Sequence, residues 1–541
     1  MITLTGKKVS EGIAIGRLAF YKRGEREIRR ISVEDVTKEE LRFQKALERA
    51  KQELEDLGEY STKEIGEANA AIFEIQQMVI GDPEFVDRVY TVINTEKLNA
   101  EYAVKSTAEK FITEFSARNT SYVRGHEADV WDVTARLLRI LGKSRKDKMF
   151  IDEPFIMAAQ DIYPSEAVRL NRSKVLAFVT MYGTINSHTA ILARTRGIPA
   201  VIGIGEALKR DYDGKLVIVD GFEGKLYIEP DQSTLTRMQE KKKLDLKKAE
   251  TLERLKGKEN ITQSGQKIDV CANIGSREDI ESVLRNDANG IGLFRSEFLY
   301  MESGVKLPSE DQQFQCYKLA AEVMGTQRVV IRTADLGGDK MAECIELPPE
   351  ENPMMGYRGI RISLDREEMF KVQLRAILRA SAYGTVAIMF PMITSVEEVE
   401  SAKKILEQVK LELRDEKIPF DEHIEIGAMI ETPASVLLSG ELAREVDFLS
   451  IGTNDLTQYT LAMDRQNRRI SGYYNPYHPA LLKMIRIIAN NAHIEGKRIG
   501  ICGDLAADEN MTETFIKMGI DELSVAPDKI LPLRKFIREI R

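Results

Sequence analysis

The strongest constraint on the fold is a series of short apolar segments that recurs through the second half of the chain. After about residue 260, these segments alternate with amphipathic stretches of helical periodicity, such as EEVESAKKILEQVKLEL. Eight of them are predicted as strands: KIDVCANI, GIGLF, RVVIRT, GIRISL, TVAIMFPM, EIGAMIE, DFLSIGT and KRIGICG. Eight strand–helix repeats over about 280 residues are typical of a (β/α)8 TIM barrel, which we expect over 261–541.

The first half of the chain predicts an α/β domain that is interrupted by helices. Residues 1–20 have the texture of strands and turns, and short apolar strand candidates return from about residue 150 (FIMAAQ, VLAFVT, PAVIG and KLVIVD). We therefore predict that 1–20 and 148–230 form one α/β domain. The multidomain chain would continue through a charged, solvent-exposed linker helix at 231–260 into the barrel.

The intervening segment, 21–147, predicts an all-helical subdomain inserted into the α/β domain. Asp82 is a plausible N-cap with Pro83 at the first helical position. Five apolar residues have the spacing of one helix face: Phe43, Leu47, Ala50, Leu54 and Leu57.

Composition excludes several classes of protein. The 541 residues exceed what a single core usually organises, and 43% hydrophobic with 30% charged residues is typical of a soluble globular protein. The net charge of -8 argues against a general nucleic-acid binder. No apolar run is long enough for a membrane span, and the N-terminus does not resemble a signal peptide. Four scattered cysteines favour a reducing, cytoplasmic location.

Charged residues collect where the predicted barrel strands end, which is where barrel enzymes place their active sites. Arginines bind phosphate and carboxylate groups through a bidentate fork, whereas two carboxylates beside them would require a divalent cation. The pattern predicts a phosphorylated substrate bridged by Mg²⁺. The residues concerned are Arg295, Arg332, Arg358, Arg465, Asn454, Asp455, Glu431 and Cys502.

Each of these residues also has a structural interpretation. An arginine at a strand end can simply pair with a neighbouring carboxylate, and Glu431 could cap the helix that TPAS begins. Cys502 alone could be a small buried hydrophobic residue. Their joint occurrence at successive strand ends favours the functional interpretation.

His188 lies in the segment GTINSHTAILARTRGIPAVIG, between a polar loop and an apolar helix pattern. Ser187 or Asn186 could cap the helix, and Gly197 could end it. In the first helical turn, the helix dipole would disfavour imidazolium and attract an incoming phosphate. Taken alone, this segment leaves open whether His188 is a nucleophile or only a residue at a helix start. The other four histidines lack ligand-type spacing: His126, His423, His478 and His493.

The barrel motifs GIGLFRSEFLYM, VIRTADLGGDK, ENPMMGYRGIRI, ETPAS, SIGTNDLTQYTLAMDR and GICGDLAAD together resemble one family. They are similar to enzyme I of the bacterial phosphotransferase system, the phosphoenolpyruvate–protein phosphotransferases, and the resemblance spans essentially the whole chain. EADVWDVTARLL is similar to that family's helical partner-binding subdomain. The resemblance implies a swivelling phosphohistidine α/β domain, transfer of the phosphoryl group of phosphoenolpyruvate to His188 and then to the carrier protein HPr, and a barrel that forms a homodimer.

The resemblance also assigns roles to single residues. His188 would accept the phosphoryl group, and Cys502 would protonate the enolate of pyruvate. Glu431 and Asp455 would hold Mg²⁺. Phosphoenolpyruvate would be bound by Arg295, Arg332, Arg465 and Asn454, with Asp455 and Arg358 in the same site.

The chain departs from the family pattern at three points without losing a reacting group. Thr184 and Asn186 replace the second glycine and the threonine of the usual G-G-x-T-S-H, SEGIAIG lacks the usual Ser-Pro, and Asp504 replaces a glutamate. A pyruvate phosphate dikinase or phosphoenolpyruvate synthase would need a further ATP-binding domain, for which the chain is too short. A non-catalytic regulator that binds carrier protein and phosphoenolpyruvate is the remaining alternative, and the presence of both His188 and Cys502 argues against it.

Overall fold

The computed structural model describes the chain except for residues 22–27, 66–72, 74–75, 118–126, 143–152, 161, 163–173, 184–188, 191–192, 195–196, 278, 466, 468 and 471–472. Two compact units divide the chain, Met1–Ala249 and Glu250–Arg541. Across the described part of the chain, no helix combines the length and the apolar character that a bilayer crossing requires.

The first unit contains one eight-stranded sheet to which both ends of the predicted α/β domain contribute. Its strands are β1 (Ile2–Thr5), β2 (Lys7–Ser10), β3 (Ile13–Phe20), β4 (Phe155–Ala159), β5 (Val175–Thr180), β6 (Ala200–Ile202), β7 (Leu216–Asp220) and β8 (Lys225–Ile228). The order is β1-β8-β7-β3-β4-β5-β6-β2. Strand β3 therefore lies between β7 and β4, parallel to β4 and antiparallel to β7, so residues from before and after the helical segment share one core.

The helical segment packs around its own apolar core. The helices whose bounds the structure describes are α1 (Val36–Ile65), α2 (Pro83–Glu96), α3 (Ala100–Ala117) and α4 (Glu127–Leu141). The predicted face of α1 is confirmed, because Phe43, Leu47, Ala50, Leu54 and Leu57 are all buried in this core. The predicted start of α2 is also confirmed. The Asp82 side chain accepts hydrogen bonds from the backbone N–H groups of Glu84 and Phe85, and Pro83 occupies the first turn.

Helix α5 (Gln232–Glu253) follows β8 and is largely exposed, as its charged composition predicts. Its first turns belong to the sheet: Met238 is buried against Ile13, Ile218 and Tyr227. One turn later, Lys241 Nζ lies 2.7 Å from Oδ2 of the fully buried Asp220.

The second unit is a closed, fully parallel eight-stranded barrel. Its strands are β9 (Asp269–Ile274), β10 (Ile291–Arg295), β11 (Val329–Arg332), β12 (Val386–Phe390), β13 (Glu425–Ile430), β14 (Phe448–Gly452), β15 (Arg498–Cys502) and β16 (Glu522–Val525). Together with the first unit, the barrel confirms the predicted fold class.

The helices of the second unit surround the barrel. They are α6 (Asp279–Arg285), α7 (Glu297–Glu302), α8 (Glu310–Met324), α9 (Ile360–Asp365), α10 (Glu367–Ser381), α11 (Val396–Asp415), α12 (Pro433–Leu437), α13 (Ser439–Glu445), α14 (Thr453–Leu461), α15 (Pro479–Ile494), α16 (Glu509–Lys517) and α17 (Ile530–Glu539). Their apolar faces and the barrel strands form one continuous core.

One predicted strand is wrong. GIRISL forms the short helix α9, and the eighth strand is β16 instead. Six residues of alternating polarity fit a helix as well as a strand, and here Ile360, Ile362 and Ser363 are all buried. Strand β16 was not predicted because it is only four residues long and contains polar residues that face inward. The side chains of Glu522 and Ser524 point into the barrel, since a Cβ built on Gly292 would meet both of them.

Candidate active site

An open cavity of about 310 Å3 lies at the carboxyl ends of the barrel strands. Arg295 ends β10, Arg332 ends β11, and Cys502 ends β15. Seven of the eight barrel residues predicted for the site line this cavity: Arg295, Arg332, Glu431, Asn454, Asp455, Arg465 and Cys502. Parallel strands therefore bring residues that are up to about 200 positions apart to one face.

The cationic side of the cavity contains three arginines in different environments. Arg332 is buried and pairs with Glu297 and, at 3.3 Å, with Asp335. Burial alone would lower the pKa of Arg332, but the charges of Glu297 and Asp335 raise it above its usual value, so the guanidinium stays charged. Within the described residues, Arg295 forms no hydrogen bond or ion pair, and Arg465 lies 3.8 Å from Asp339. Two of the three guanidinium groups are thus available to an anion.

Lys340 and Glu297 also line the cavity, and sequence reasoning missed both as site residues. Lys340 pairs with Asp335 and lies 3.3 Å from Glu297. Both residues belong to segments already quoted for other residues, FRSEF and ADLGGDK, and each follows a site arginine by a few positions. Lys340 thus brings a further cation to the cavity wall, and Glu297 brings a further carboxylate.

Arg358 is the eighth predicted barrel residue and does not line the cavity. Its side chain is only 1% exposed and lies beneath Asp455, where it donates to both oxygens of Asp455 and to both oxygens of Asp335 at 3.0–3.1 Å. It also donates to the hydroxyl of Tyr459 at 3.0 Å. Through these hydrogen bonds, the Arg358 guanidinium positions the carboxylates of the site. Direct contact of Arg358 with substrate stays a prediction.

Glu431 is, with Asp455, one of the two carboxylates predicted to hold a cation, and it is buried at the end of β13. One oxygen accepts a 2.7 Å hydrogen bond from the backbone N–H of Met392. Burial, together with the nearby charges of Asp455 and Asp335, raises the pKa of Glu431 to about 7, although Arg332 and Arg358 oppose the shift. The structural alternative for Glu431 is wrong, because the N-cap of the following helix α12 is Thr432, whose side chain accepts from the N–H of Ser435.

The two carboxylates fit a divalent cation that takes its remaining ligands from water and substrate. Within the residues that the structure describes, no group of three or more His, Cys, Asp or Glu side chains forms a metal site. Mg²⁺ is usually held by one or two carboxylates and by substrate phosphate oxygens, so a full protein cage is not expected. A cation between Glu431 and Asp455 would also remove the repulsion that raises the pKa of Glu431.

Cys502 presents a thiol to the cavity from an otherwise apolar layer of the barrel. The sulfur donates to the carbonyl of Ile451 at 3.5 Å and accepts from the hydroxyl of Ser450 at 3.6 Å. Burial raises the pKa of Cys502 to about 11, so the group is a thiol at neutral pH. A protonated sulfur beside an anion site has the chemistry of a proton donor.

The loop after Cys502 shapes the neighbouring wall. Gly503 has a φ of 107°, and a Cβ there would lie 2.6 Å from Thr453 Oγ1. The N–H of Asp504 donates to Asn454 Oδ1 at 3.3 Å, so the Asn454 amide directs its NH2 group away from that N–H. This arrangement leaves the donor side of Asn454 available to an acceptor in the cavity.

His188 lies outside the described residues, as do Thr184, Asn186 and Ser187. The end of the same segment is described: Gly197 has a φ of 60°, and its N–H donates to the carbonyl of Arg194. Because 191–192 and 195–196 lie outside the described residues, the prediction that Gly197 ends this helix stays a prediction. The nucleophilic role of His188 stays a prediction.

The remaining histidines that the structure describes lie away from the cavity. His478 is the N-cap of α15, and His493 lies 3.7 Å from Asp521. His423 follows a turn at Asp421, and His126 lies outside the described residues.

Comparison with known proteins identifies the family. Three family models match: the N-terminal domain of PEP-utilising enzymes over residues 5–125, their mobile domain over 151–224, and their PEP-binding domain over 249–541. A phosphoenolpyruvate-protein phosphotransferase of Bacillus subtilis strain 168 is 40% identical over 541 residues, covering 100% of this chain and 95% of its own length.

Two further relatives carry the same name. The protein of Priestia megaterium is 40% identical over 538 residues, covering 99% of this chain and 94% of its own length. The protein of Latilactobacillus sakei is 41% identical over 542 residues, covering 100% of this chain and 94% of its own length. Because the identity extends through every domain, the chain belongs to the PEP-utilising enzymes, and among them to the phosphoenolpyruvate–protein phosphotransferase family.

Proposed function

We propose that this protein transfers the phosphoryl group of phosphoenolpyruvate to its own His188 and then to a histidine of the carrier protein HPr, releasing pyruvate. The observation that supports this most directly is the cavity at the strand ends. It combines guanidinium groups, the carboxylates of Glu431 and Asp455, and a protonated thiol, which is the set of groups that a phosphorylated enol requires.

Phosphoenolpyruvate carries a phosphate and a carboxylate, so it needs two anion-binding positions. Arg295 and Arg465 have no strong partner among the described residues and supply bidentate donors for these groups. Arg332 contributes from beneath, where its buried Nε has no hydrogen-bond partner in the described structure. The Asn454 NH2 group donates to a substrate oxygen.

Glu431 and Asp455 would hold Mg²⁺ together with substrate oxygens. When bound, the cation would neutralise charge on the transferring phosphoryl group and orient it. Arg358 holds both oxygens of Asp455 in a fixed position for this purpose.

The acceptor nitrogen must be a neutral imidazole, which the ordinary pKa of histidine, about 6.5, provides near pH 7. As the phosphoryl group moves to His188, the enolate of pyruvate remains in the cavity. The Cys502 thiol then gives its proton to C3 of the enolate, which forms the methyl group of pyruvate and leaves a thiolate.

We also propose the domain assignment that this activity needs. Residues 1–20 and 148–230 would be the phosphohistidine domain, 21–147 the carrier-binding subdomain, and 231–260 a linker helix. Residues 261–541 would bind phosphoenolpyruvate and form the homodimer. Four cysteines scattered without paired spacing support a cytoplasmic location.

The test is incubation of the full chain with phosphoenolpyruvate carrying a labelled phosphoryl group and Mg²⁺, followed by phosphopeptide mapping. We expect acid-labile label on the peptide that contains His188 and none on His188→Ala. His478→Ala is the matched control and should be labelled as the parent protein is. Persistent labelling of His188→Ala, or an unlabelled parent protein, would exclude the proposal.

A further inference from the structure

A second, smaller cavity lies inside the barrel, toward the amino-terminal ends of the strands. Ser450 on β14, Gly500 on β15 and Glu522 on β16 are register partners in one layer. Gly500 has no side chain, so a gap of about 10 Å3 remains between Ser450 and Glu522, and both residues line it. A gap of this size with polar walls has room for one water molecule.

Glu522 extends from its strand into the barrel interior. A Cβ on Gly292, which lies on β10 two strands away from β16, would lie 2.4 Å from Glu522 Oε1. The carboxyl group is buried and faces two arginines, with Arg328 Nη1 and Arg498 Nη2 at 3.9 and 3.8 Å. Burial raises the pKa of Glu522 and the charge of Asp269 adds to this, whereas the two arginines and a hydrogen bond with Cys271 lower it.

The small cavity also contains an unused donor. Arg328 Nε is buried and has no hydrogen-bond partner among the residues that the structure describes. The guanidinium carbon lies over the ring of Phe448, 3.9 Å from its centre, and this contact helps to fix its position. Buried waters typically satisfy polar groups of this kind, so Arg328, Ser450 and Glu522 together provide the partners that an ordered water needs.

Ser450 connects this cavity to the substrate cavity above it. Its hydroxyl donates to the sulfur of Cys502, which lies two residues after Gly500 on the same strand. The other polar partner of the sulfur is the carbonyl of Ile451, which cannot donate. Ser450 is therefore the proton-carrying group that the described structure places within hydrogen-bonding distance of Cys502.

We propose that Glu522, one water molecule and Ser450 form a proton relay that returns a proton to Cys502 from the amino-terminal end of the barrel. The proposal rests on the proposed function, in which Cys502 protonates the enolate. Ser450 and Glu522 act through Cys502 and do not touch the substrate.

The relay balances as a series of proton shifts. Cys502 gives its proton to C3 of the enolate and becomes a thiolate. The Ser450 hydroxyl proton moves to the sulfur, the water gives a proton to the serine oxygen, and the Glu522 carboxylic acid gives a proton to the water. Glu522 is left as a carboxylate facing Arg328 and Arg498, and it recovers a proton from solvent at the rim, where the Arg498 side chain is 48% exposed.

The test compares two exchange reactions of the full chain in D2O with phosphoenolpyruvate, Mg²⁺ and carbon-labelled pyruvate. Passage of the carbon label into phosphoenolpyruvate reports phosphoryl transfer, and deuterium at C3 of pyruvate reports exchange of the Cys502 proton with solvent. We expect the ratio of deuterium to carbon exchange to fall by about tenfold in Glu522→Gln and in Ser450→Ala, because protons taken from pyruvate stay on the sulfur and return. A merely structural effect would lower both exchanges and leave their ratio unchanged.

Two variants complete the test. Glu425→Gln removes the carboxylate that lies 2.9 Å from Arg328 without lining the small cavity, and it should keep the parental ratio. Gly500→Ala leaves every charge in place but fills the gap, since its Cβ would lie 3.4 Å from that of Glu522. It should lower the ratio of deuterium to carbon exchange as Glu522→Gln does. If Glu522→Gln does not fold, Gly500→Ala still tests the relay.

An unchanged ratio in Ser450→Ala and Gly500→Ala would show that Cys502 exchanges its proton through the substrate cavity, which would overturn the relay. An equal fall in Glu425→Gln would overturn it as well. Absence of carbon exchange in the parent protein would instead refute the proposed function.

Discussion

Arg358 donates from two terminal nitrogens to the two oxygens of Asp455, each at 3.1 Å. The same guanidinium reaches Asp335 from its other edge, so one buried cation fixes two buried carboxylates. Only a planar fork with several donors can do this, and a lysine ammonium cannot reproduce it. The Asp455 carboxylate is therefore held in a fixed orientation at the cavity wall.

Arg358→Lys should destabilise the fold and weaken cation binding. The lysine would leave Asp455 without its bidentate partner, while Asp335 would keep Arg332 and Lys340, and we expect a cost of about 3 kcal/mol of unfolding free energy. The loosened Asp455 should raise the Mg²⁺ concentration needed for half-maximal labelling by phosphoenolpyruvate. Urea unfolding and a Mg²⁺ titration measure the two effects. Arg414→Lys, which alters an exposed pair with Glu422, is the control and should change neither. Parental behaviour of Arg358→Lys would contradict this role.

The unfolding free energy of the metal-free protein should depend on the protonation of Glu431. Its pKa is raised to about 7 in the folded chain from an ordinary value near 4.5, so the folded state binds the proton more tightly than the unfolded state. The unfolding free energy should therefore fall as pH rises from about 4.5 to 7 and stay low above that range.

Glu431→Gln should remove this loss and stabilise the metal-free protein by about 2 kcal/mol at pH 8, with little effect at pH 4.5. Urea unfolding in a chelator at the two pH values measures it. Mg²⁺ should stabilise the parent protein at pH 8 and not the variant. A variant that is less stable than its parent at pH 8 in chelator would count against this electrostatic account.

Cys502 should react slowly with alkylating reagents. Burial raises its pKa to about 11, so the reactive thiolate is scarce below that pH, and the rate should still be rising at pH 10. Peptide mass spectrometry after iodoacetamide treatment gives the rate for each cysteine separately. Cys344 is less buried and serves as an internal comparison. A Cys502 rate that levels off near pH 8.5 would show an ordinary thiol.

Gly359→Ala should disturb the site from a distance. Gly359 has a φ of 60° directly after Arg358, and a Cβ there would lie 2.8 Å from that of Met392. We expect the unfolding free energy to fall by about 3 kcal/mol. Backbone strain accounts for about 1 kcal/mol of this and overpacking for the rest. Gly496 has a similar φ of 67°, but a Cβ there would meet no atom within 4 Å. Gly496→Ala therefore measures the cost of backbone strain without overpacking. Equal losses in the two variants, measured by urea unfolding, would rule out the packing contribution.

The periodic pattern of the chain was enough to predict the barrel, the split α/β domain and the helical insertion. It was enough because apolar spacing reports which residues must leave water, as the buried face of Phe43, Leu47 and Leu54 illustrates. The pattern could not separate a short helix from a short strand, so GIRISL was misassigned. It also missed β16, whose inward-facing Glu522 and Ser524 are polar.

The sequence also determined which kinds of group the site would hold, since guanidinium, carboxylate and thiol side chains follow successive strands. Only the tertiary structure decided which of these side chains line the cavity and which position the others. Arg358 resembles the other arginines in the sequence, yet it turns away from the cavity to bind Asp335 and Asp455. Likewise, the gap between Ser450 and Glu522 exists only because Gly500 stands between them on the neighbouring strand. Such relations depend on strand register and side-chain direction, which closure of the barrel sets and local sequence does not encode.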